Sequence, residues 1–147
     1  MKLRTLSIVA IIGSTLLSAC ASSGPKFAEM TTAMSAAAKA GTGRIYFYRT
    51  TVLGAAVQPE VRLNGEVVGK AVPNGFFFAD RPAGNYEVST STEVERKLTF
   101  TLEANQVKYV RLNISMGFFV GHVYGELVDE PKGSAEIADT HYIGPPL

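Results

Sequence analysis

The 147-residue chain carries 14 lysine and arginine residues against 13 aspartate and glutamate residues, for a formal net charge of +1. This near balance speaks against a polyanion such as a nucleic acid as the partner, and equally against a polycation. Hydrophobic residues make up 46% of the chain, which is typical of a folded domain and excludes a disordered one. The single cysteine cannot form a disulfide bond within the chain.

The first 19 residues have the three-part layout of a secretory signal peptide. Lys2 and Arg4 give a positively charged start, and an apolar run over residues 6–17 ends in small residues. This run is shorter than the roughly 20 residues that a membrane-spanning helix needs. We therefore expect residues 1–19 to be removed, which leaves enough chain for one domain with a modest core.

Cys20 stands where a lipid anchor would be attached. It follows directly after Leu17-Ser18-Ala19, and the tetrad resembles the lipobox of bacterial lipoproteins. The resemblance implies cleavage between Ala19 and Cys20, a thioether-linked diacylglycerol on Cys20 and an acyl chain such as palmitate on its freed amine, with no other cofactor. Two or more acyl chains make a stable anchor, whereas one holds a protein only marginally. The alternative is a lone buried thiol that happens to follow an apolar stretch.

The residues after the cysteine predict a location and a tether. Ala21 stands where inner-membrane lipoproteins of enteric bacteria carry aspartate, so the resemblance implies a periplasm-facing lipoprotein of the outer membrane, subject to the sorting rules of the host. Residues 20–25 are mostly small and polar, which predicts a flexible lipid-anchored tether that lets the domain stand off the bilayer.

One amphipathic helix is predicted over residues 26–41. The apolar residues that recur there at helical spacing are Phe27, Met30, Met34 and Ala37. Gly41 would close the helix as a left-handed cap. The helix could pack on a sheet or lie on a membrane surface. Its polar side lacks the rows of Lys and Arg typical of membrane-surface helices, which favours packing on the sheet.

Residues 43–130 consist of short β segments separated by turn residues. Asn64-Gly65 lies between two apolar alternations and is the strongest hairpin signal, because both positions of a type I′ turn need positive φ. Several evenly spaced strands with no helix between them predict an antiparallel sandwich or barrel. Residues 131–147 are expected to form a C-terminal tail, with at most a short turn of helix from Ser134 to Thr140.

Three stretches carry a family resemblance: Asn-Gly-Glu-Val-Val-Gly-Lys at 64–70, Pro-Ala-Gly-Asn-Tyr-Glu-Val at 82–88, and the strand pair over 98–112. They resemble PEGA-type surface modules and carboxypeptidase-regulatory-like β-sandwiches. With the lipobox and residues 43–49 ahead of them, the chain is similar to a family of small bacterial lipoproteins known only as a domain of unknown function. The resemblance implies a mainly β fold, an antiparallel β-sandwich of transthyretin-like or immunoglobulin-like shape with one N-terminal helix. It implies a non-catalytic envelope domain and supplies no site residues.

Residues 115–126 depart from ordinary strand composition, because Gly117, Gly121 and Gly125 recur every four residues. In a strand these glycines share one face, and on a helix the same spacing permits close approach of a second backbone. We predict one edge or terminal strand with bulges at glycine. A second copy of the chain could pack through the three glycines.

An edge strand at this position would leave an aromatic surface available for a partner. The residues of this predicted interaction surface are Phe118, Phe119, His122 and Tyr124. An ordinary core strand is the simplest interpretation, and a docking surface or a contact with the membrane are the alternatives.

Three arginines in predicted strands, Arg49, Arg62 and Arg111, are expected on the ordinary solvent face of a sheet. The alternative is a polar and aromatic patch that binds carbohydrate or peptide. The aromatic members of that patch would be Tyr46, Tyr48 and Tyr109.

Groups that could support catalysis are few. The histidines are His122 and His141, and neither has the His-x-x-x-His or Cys-x-x-Cys spacing that indicates zinc, so no metal ligand is assigned. No Gly-x-Ser-x-Gly elbow points to a serine nucleophile, and no glycine-rich loop points to a nucleotide.

The sequence therefore predicts a membrane-anchored periplasmic lipoprotein that acts as a non-catalytic binding or structural module and docks an envelope protein or peptidoglycan. The alternative is a small periplasmic hydrolase, or an inhibitor-type regulator of one, that uses His122 or His141.

Overall fold

The computed structural model describes residues 22–36, 39–117 and 121–147. Its elements are α1 (Phe27–Ala36), β1 (Thr42–Arg49), β2 (Glu60–Leu63), β3 (Glu66–Lys70), β4 (Gly75–Pro82), β5 (Gly84–Thr90), β6 (Glu93–Leu102), β7 (Val107–Met116), β8 (Gly121–Val128), α2 (Glu130–Ile137) and β9 (His141–Tyr142). The predicted mainly β sandwich with a helix near the N-terminus is confirmed.

The strands form two sheets that face each other across one apolar core. The first sheet has the order β8-β7-β1-β4-β9, and the second has the order β3-β2-β5-β6. Phe47 of β1 and Phe77 of β4 are both buried in this core, with their ring centroids 5.0 Å apart. Stacked rings at this distance gain contact energy beyond their area burial.

Two strand pairs in the first sheet are parallel, which the sequence did not predict. β1 pairs with β7 in parallel, and β4 pairs with β9 in parallel, while the other pairings of these strands are antiparallel. β1 has a partner on each side and is buried continuously over residues 43–49. It is therefore the central strand of the molecule.

Both helices cover the outer face of the five-stranded sheet. Met30 and Met34 of α1 and Ile137 of α2 pack against aromatic side chains of the sheet in a second apolar cluster. The strand aromatics that these helices bury are Tyr46, Tyr48, Phe76 and Tyr109. The predicted packing of the first helix on the sheet is confirmed. Tyr46, Tyr48 and Tyr109, the aromatic members of the alternative carbohydrate or peptide patch, lie beneath the helices instead of on a solvent face.

The first helix is shorter than predicted. α1 spans Phe27–Ala36 instead of residues 26–41, and residues 40–41 form a turn that leads into β1. Gly41 has a φ of 75° and so adopts the left-handed conformation expected of it, in that turn.

The C-terminal segment is folded, which corrects the predicted tail over residues 131–147. Pro131 fits the first turn of α2, where a missing backbone N–H is not needed. Gly133 is buried against the ring of Tyr109, at a place where a side chain would collide with that ring. β9 then extends the sheet alongside β4. Proline and glycine usually disfavour a helix, but here Pro131 fits the start of α2 and Gly133 lets the helix approach the sheet.

We expect the fold to lose stability as the pH rises from about 10 to about 12. Tyr109 lies beneath α2, and burial raises the pKa of Tyr109 to about 12. Burial also raises the pKa of Tyr48, whose hydroxyl donates a hydrogen bond to Glu136. An unfolded tyrosine ionises at about pH 10, so in this window the folded state holds protons that the unfolded state has released. The free energy of unfolding therefore falls as pH rises through the window.

Urea unfolding at a series of pH values measures this fall directly. The Tyr109→Phe variant should lose less stability than the wild type over the same pH range, because phenylalanine cannot ionise. Equal losses in the two proteins would contradict the burial of an un-ionised Tyr109.

Candidate functional site

The described chain begins against one end of the five-stranded sheet. Ser22 Oγ donates hydrogen bonds to the carbonyl oxygens of Pro73 at 3.2 Å and Asn74 at 2.7 Å, in the turn before β4. Gly24 lies so close to Tyr142 that a Cβ would collide with its backbone. From Ser22 onward, the segment therefore packs on the domain and is not the flexible tether predicted over residues 20–25. Cys20 and Ala19 lie outside the described residues.

Three of the connections at this end of the sandwich lie around β1, β4 and β7. β1 ends at Arg49, which pairs with Gly75 at the start of β4. β7 runs parallel to β1 and continues to Met116, so it ends on the same side. We refer to the loop 50–59, the turn 72–74 and the end of β7 at 115–117 as the Ser22 end.

Arg49 holds the loop of the Ser22 end from the inside. Its side chain is fully buried, and its Nη1 donates to the carbonyl oxygens of Val57 at 2.7 Å and Ala71 at 2.9 Å. Its Nη2 donates to the carbonyl oxygens of Leu53 at 2.6 Å and Gly54 at 3.1 Å. Burial lowers the pKa of the Arg49 guanidinium. The expectation that Arg49 lies on a solvent face is wrong.

The most exposed large hydrophobic side chains of the described residues lie at this same end. Val52 and Met116 are each 69% exposed, and Leu53 is 59% exposed. The loop that carries Val52 and Leu53 packs against β7, because the Gly54 backbone contacts the side chain of Ile114. We call Val52, Leu53 and Met116 the apolar patch. Val52 and Leu53 were not predicted as a surface feature from the sequence, although residues 50–59 contain no charged side chain.

Residues 115–126 do not form one strand, which corrects the prediction of a single bulged strand. β7 ends at Met116 and β8 begins at Gly121, and these two residues pair with each other. The register between the strands has no shift from Tyr109 to Met116, so there is no bulge at glycine. β8 is an edge strand of its sheet, as expected. Phe118 and Phe119 of the predicted interaction surface lie outside the described residues.

Gly121 and Gly125 of β8 face the core. A Cβ on Gly125 would lie 3.1 Å from Val110 and 3.3 Å from Val88, and one on Gly121 would lie 3.0 Å from Ile114. These two glycines are therefore covered within the chain, and contact between copies through the glycines stays a prediction. Gly117 is exposed but lies outside both strands.

His122 and Tyr124 of the predicted surface contact the neighbouring sheet. His122 Nδ1 lies 2.6 Å from the carbonyl oxygen of Thr92, and since a carbonyl only accepts, Nδ1 carries the proton. The guanidinium of Arg96 lies 5.0 Å from the centroid of the Tyr124 ring. The hydroxyl of Thr92 also accepts a hydrogen bond from the Val123 backbone at 3.1 Å, so the turn between β5 and β6 covers part of the β8 edge.

The two histidines lie far apart in the sheet order. His141 belongs to β9 and His122 to β8, which are the two opposite edges of the five-stranded sheet. His141 Nδ1 lies 2.7 Å from the carbonyl oxygen of Gly24, so this ring also donates to backbone. A hydrolase that uses one of them stays a prediction. Across residues 22–36, 39–117 and 121–147, no three acidic or histidine side chains come together in the way that a metal ion requires.

A polar network fastens α2 to the sheet. Glu136 accepts hydrogen bonds from the Tyr48 hydroxyl at 2.8 Å and from Arg111 Nη1 at 2.7 Å. Arg111 Nη2 donates to Glu126 at 2.8 Å, and this contact lowers the pKa of Glu126. Arg111 is therefore neither near Arg49 nor on an open face, and the three predicted strand arginines do not form one patch.

A shallow groove of about 450 Å³ lies on the outer face of the four-stranded sheet. Its lining residues are Asn64, Asn85, Tyr86, Glu87, Thr99, Phe100 and Thr101. β2 begins beside Ala71 at the Ser22 end and runs away from it to the Asn64-Gly65 turn, so the groove lies toward the opposite end. The Asn64-Gly65 turn and the strands beside it were predicted from the sequence, but the groove between them was not.

The described helices are short. None of them is long and apolar enough to cross a membrane.

Comparisons with known proteins place the chain in a family without assigning an activity. A family model described as "Protein of unknown function (DUF2846)" matches residues 39–123. An uncharacterized protein of Haemophilus influenzae is 29% identical over 99 residues, which cover 67% of this chain and 59% of that relative, so the match spans less than two thirds of the relative's length. No solved structure matches the chain. Because the family model covers more than half of the 147 residues, the chain belongs to the DUF2846 family of proteins of unknown function.

Proposed function

We propose that this protein is a periplasm-facing lipoprotein of the bacterial outer membrane, anchored through Cys20, whose sandwich acts as a non-catalytic binding module of the cell envelope. The observation that carries the proposal is the attachment of Ser22 to the turn at Pro73 and Asn74. Only Ala21 separates this attached residue from the cysteine of the lipobox-like tetrad.

The attachment gives the anchored domain an orientation. Two residues of extended chain span at most about 7 Å, so acyl chains on Cys20 would hold the Ser22 end at the bilayer surface. The groove on the four-stranded sheet would then face away from the membrane. A domain held this way presents one end to lipid and the other to components of the periplasm.

The groove has the chemistry of a recognition surface for sugar or peptide. It combines the amide side chains of Asn64 and Asn85 with the hydroxyl groups of Thr99 and Thr101, while the rings of Tyr86 and Phe100 pack toward the core. Amide and hydroxyl groups supply both donors and acceptors for a polar ligand. Peptidoglycan or an envelope protein is therefore the proposed partner.

Photo-crosslinking in intact cells tests the binding role. A photoreactive amino acid at Thr99, in the groove, should crosslink to an envelope protein or to glycan strands. The matched control is the same amino acid at Thr31, which is exposed on α1 outside the groove. We expect a yield from position 99 about ten-fold above that from position 31, which corresponds to about 1.4 kcal/mol of preferential binding. Equal yields, or crosslinks from neither position, would count against a binding module that uses the groove.

A further inference from the structure

We infer that the Ser22 end makes a second, direct contact with the membrane, in which Val52, Leu53 and Met116 enter the interface of the lipid bilayer beside the acyl chains on Cys20. This inference rests on the proposed function, which supplies the lipid anchor. The occupant of the apolar patch is thus the lipid surface itself.

Position is the first reason. The apolar patch and Ser22 lie at the same end of the five-stranded sheet, where β1 and β7 end and β4 begins. Only Ala21 lies between Ser22 and Cys20, so a lipid on Cys20 cannot be far from that end. The other exposed large hydrophobics within the sheets, such as Val107 at 37%, are less exposed.

The second reason is the absence of charge in the sequence of the connections around β1, β4 and β7 at this end. The exposed Asp139, which pairs with Lys26 at 3.0 Å, lies beside β9 at the edge of the sheet farthest from β8. Residues 50–59, 71–79 and 112–125 contain no Asp, Glu, Lys or Arg. At the opposite end, the β6–β7 turn carries Glu103. A charged side chain is costly to bring into the bilayer, so the uncharged part of the Ser22 end, around the loop 50–59 and the end of β7, is the part that can approach it.

The third reason is that carbonyl groups of the loop 50–59 accept hydrogen bonds from inside the domain. Lipid offers no hydrogen bonds, so a loop that enters it must have its carbonyl groups satisfied internally. Arg49 accomplishes this by donating to the carbonyl oxygens of Leu53, Gly54 and Val57 from inside the domain. The backbone N–H of Leu53 donates to Thr51 Oγ1 at 3.1 Å. The side chains of Val52 and Leu53 can therefore turn outward while the polar backbone turns inward.

A second copy of the chain is the less fitting occupant. Stable protein interfaces use roughly 20–30 residues a side, whereas the apolar patch has three large side chains. A bilayer sets no such minimum, because each apolar side chain gains transfer energy independently and adds to the anchor.

The chain contains no tryptophan, so a single tryptophan can report on each position. We would prepare the full lipid-modified chain with Val52→Trp or Met116→Trp and bind it to vesicles of phosphatidylethanolamine and phosphatidylglycerol with brominated acyl chains. Val107→Trp, at the opposite end, is the matched control. Interfacial side chains reach about 5–10 Å into the acyl boundary, so we expect bromine to quench the two patch tryptophans at least about two-fold more than the control.

The outcomes separate this inference from the proposed function. If the protein floats with the vesicles and all three tryptophans are quenched equally, the membrane contact is refuted and the anchor stands. If the wild-type protein neither carries lipid nor floats, the proposed function fails, and the inference fails with it. The emission of the patch tryptophans could instead shift to shorter wavelength as the protein concentration rises, without quenching by brominated lipid. That result would overturn the inference in favour of contact between copies.

Discussion

Replacing Arg49 with methionine is expected to lower the free energy of unfolding by about 3 kcal/mol, measured by urea denaturation. Methionine keeps much of the apolar stem, so the main change is the loss of the donors that satisfy four carbonyl groups. Buried carbonyls without a donor cost free energy, and the loop 50–59 would lose its inner support. The loss is smaller than four separate bonds would suggest, because removing a buried charge also removes its desolvation penalty.

Arg62→Met is the matched control for this change. Arg62 lies in β2 of the second sheet, and its guanidinium is paired with Glu60 at 2.7 Å in a half-exposed position. Such a surface pair contributes at most about 1 kcal/mol, so the Arg62→Met variant should be nearly as stable as the wild type. The stability of Arg49→Lys should lie between those of the two methionine variants. Lysine keeps the positive charge, but its single ammonium group cannot reach the same four carbonyl oxygens. Equal stability of the two methionine variants would show that Arg49 does not organise the loop.

The second large effect is expected from Arg44→Met, which should lower the free energy of unfolding by about 3–5 kcal/mol. Arg44 Nε and Nη2 donate to the two oxygens of Asp80 at 2.6 and 2.8 Å, and the side chains of this pair are 9% and 7% exposed. Arg44 Nη1 also donates to the carbonyl oxygen of Met34 in α1 at 2.7 Å. The variant would leave a buried carboxylate without a partner and would loosen α1 from the sheet.

A double-mutant cycle separates the interaction energy between Arg44 and Asp80 from the other effects of replacing either residue. Asp80 raises the pKa of Arg44, which shows the direction of the coupling between them. Arg44→Met combined with Asp80→Leu should cost less than the sum of the two single changes, because no unpaired charge remains buried. Arg81→Met is the matched control, because Arg81 Nη2 lies 3.3 Å from a carboxylate oxygen of Glu66, whose side chain is exposed. This change should alter the free energy of unfolding by less than about 1 kcal/mol. If the losses in unfolding free energy from the two single changes simply added up in the double variant, Arg44 and Asp80 would not interact as a buried pair.

The hairpins were the most predictable part of the fold. Asn64 and Gly65 have φ values of 50° and 84°, as a type I′ turn requires, and they connect β2 to β3 as predicted. The signal is strong because few residue types tolerate positive φ at two consecutive positions. In β6, Leu98, Phe100 and Leu102 alternate with polar residues in the sequence, and these three side chains are the ones that pack at the core.

The partners of the strands were not predictable from this pattern. Alternation tells which face of a strand is buried, but it carries no information on which strand lies next to it. The parallel pairing of β1 with β7 depends on a connection of more than 50 residues. The break between β7 and β8 was missed because glycines with the same spacing have different roles. Gly117 lies outside both strands, whereas Gly121 and Gly125 lie inside β8 and pack against the core.

The candidate membrane-facing end was only partly visible in the sequence. The proposed site of lipid attachment, Cys20, was inferred from four adjacent residues, Leu17-Ser18-Ala19-Cys20. The role of Arg49 was hidden, because an arginine in a strand is normally on the solvent side and its bonding to loop carbonyls depends on tertiary structure. The attachment of Ser22 was hidden for a similar reason, since small polar residues are typical of a linker but can also bond a nearby turn.

The mass of the N-terminal peptide of the mature protein, purified from bacterial membranes, shows whether Cys20 carries the lipid anchor. We expect a peptide that begins at Cys20 and carries a diacylglycerol thioether and an acyl chain, and we expect the Cys20→Ser variant to keep residues 1–19 and to incorporate no labelled palmitate. A mature wild-type chain with a free thiol at Cys20, or a Cys20→Ser variant that still incorporates palmitate, would contradict this expectation.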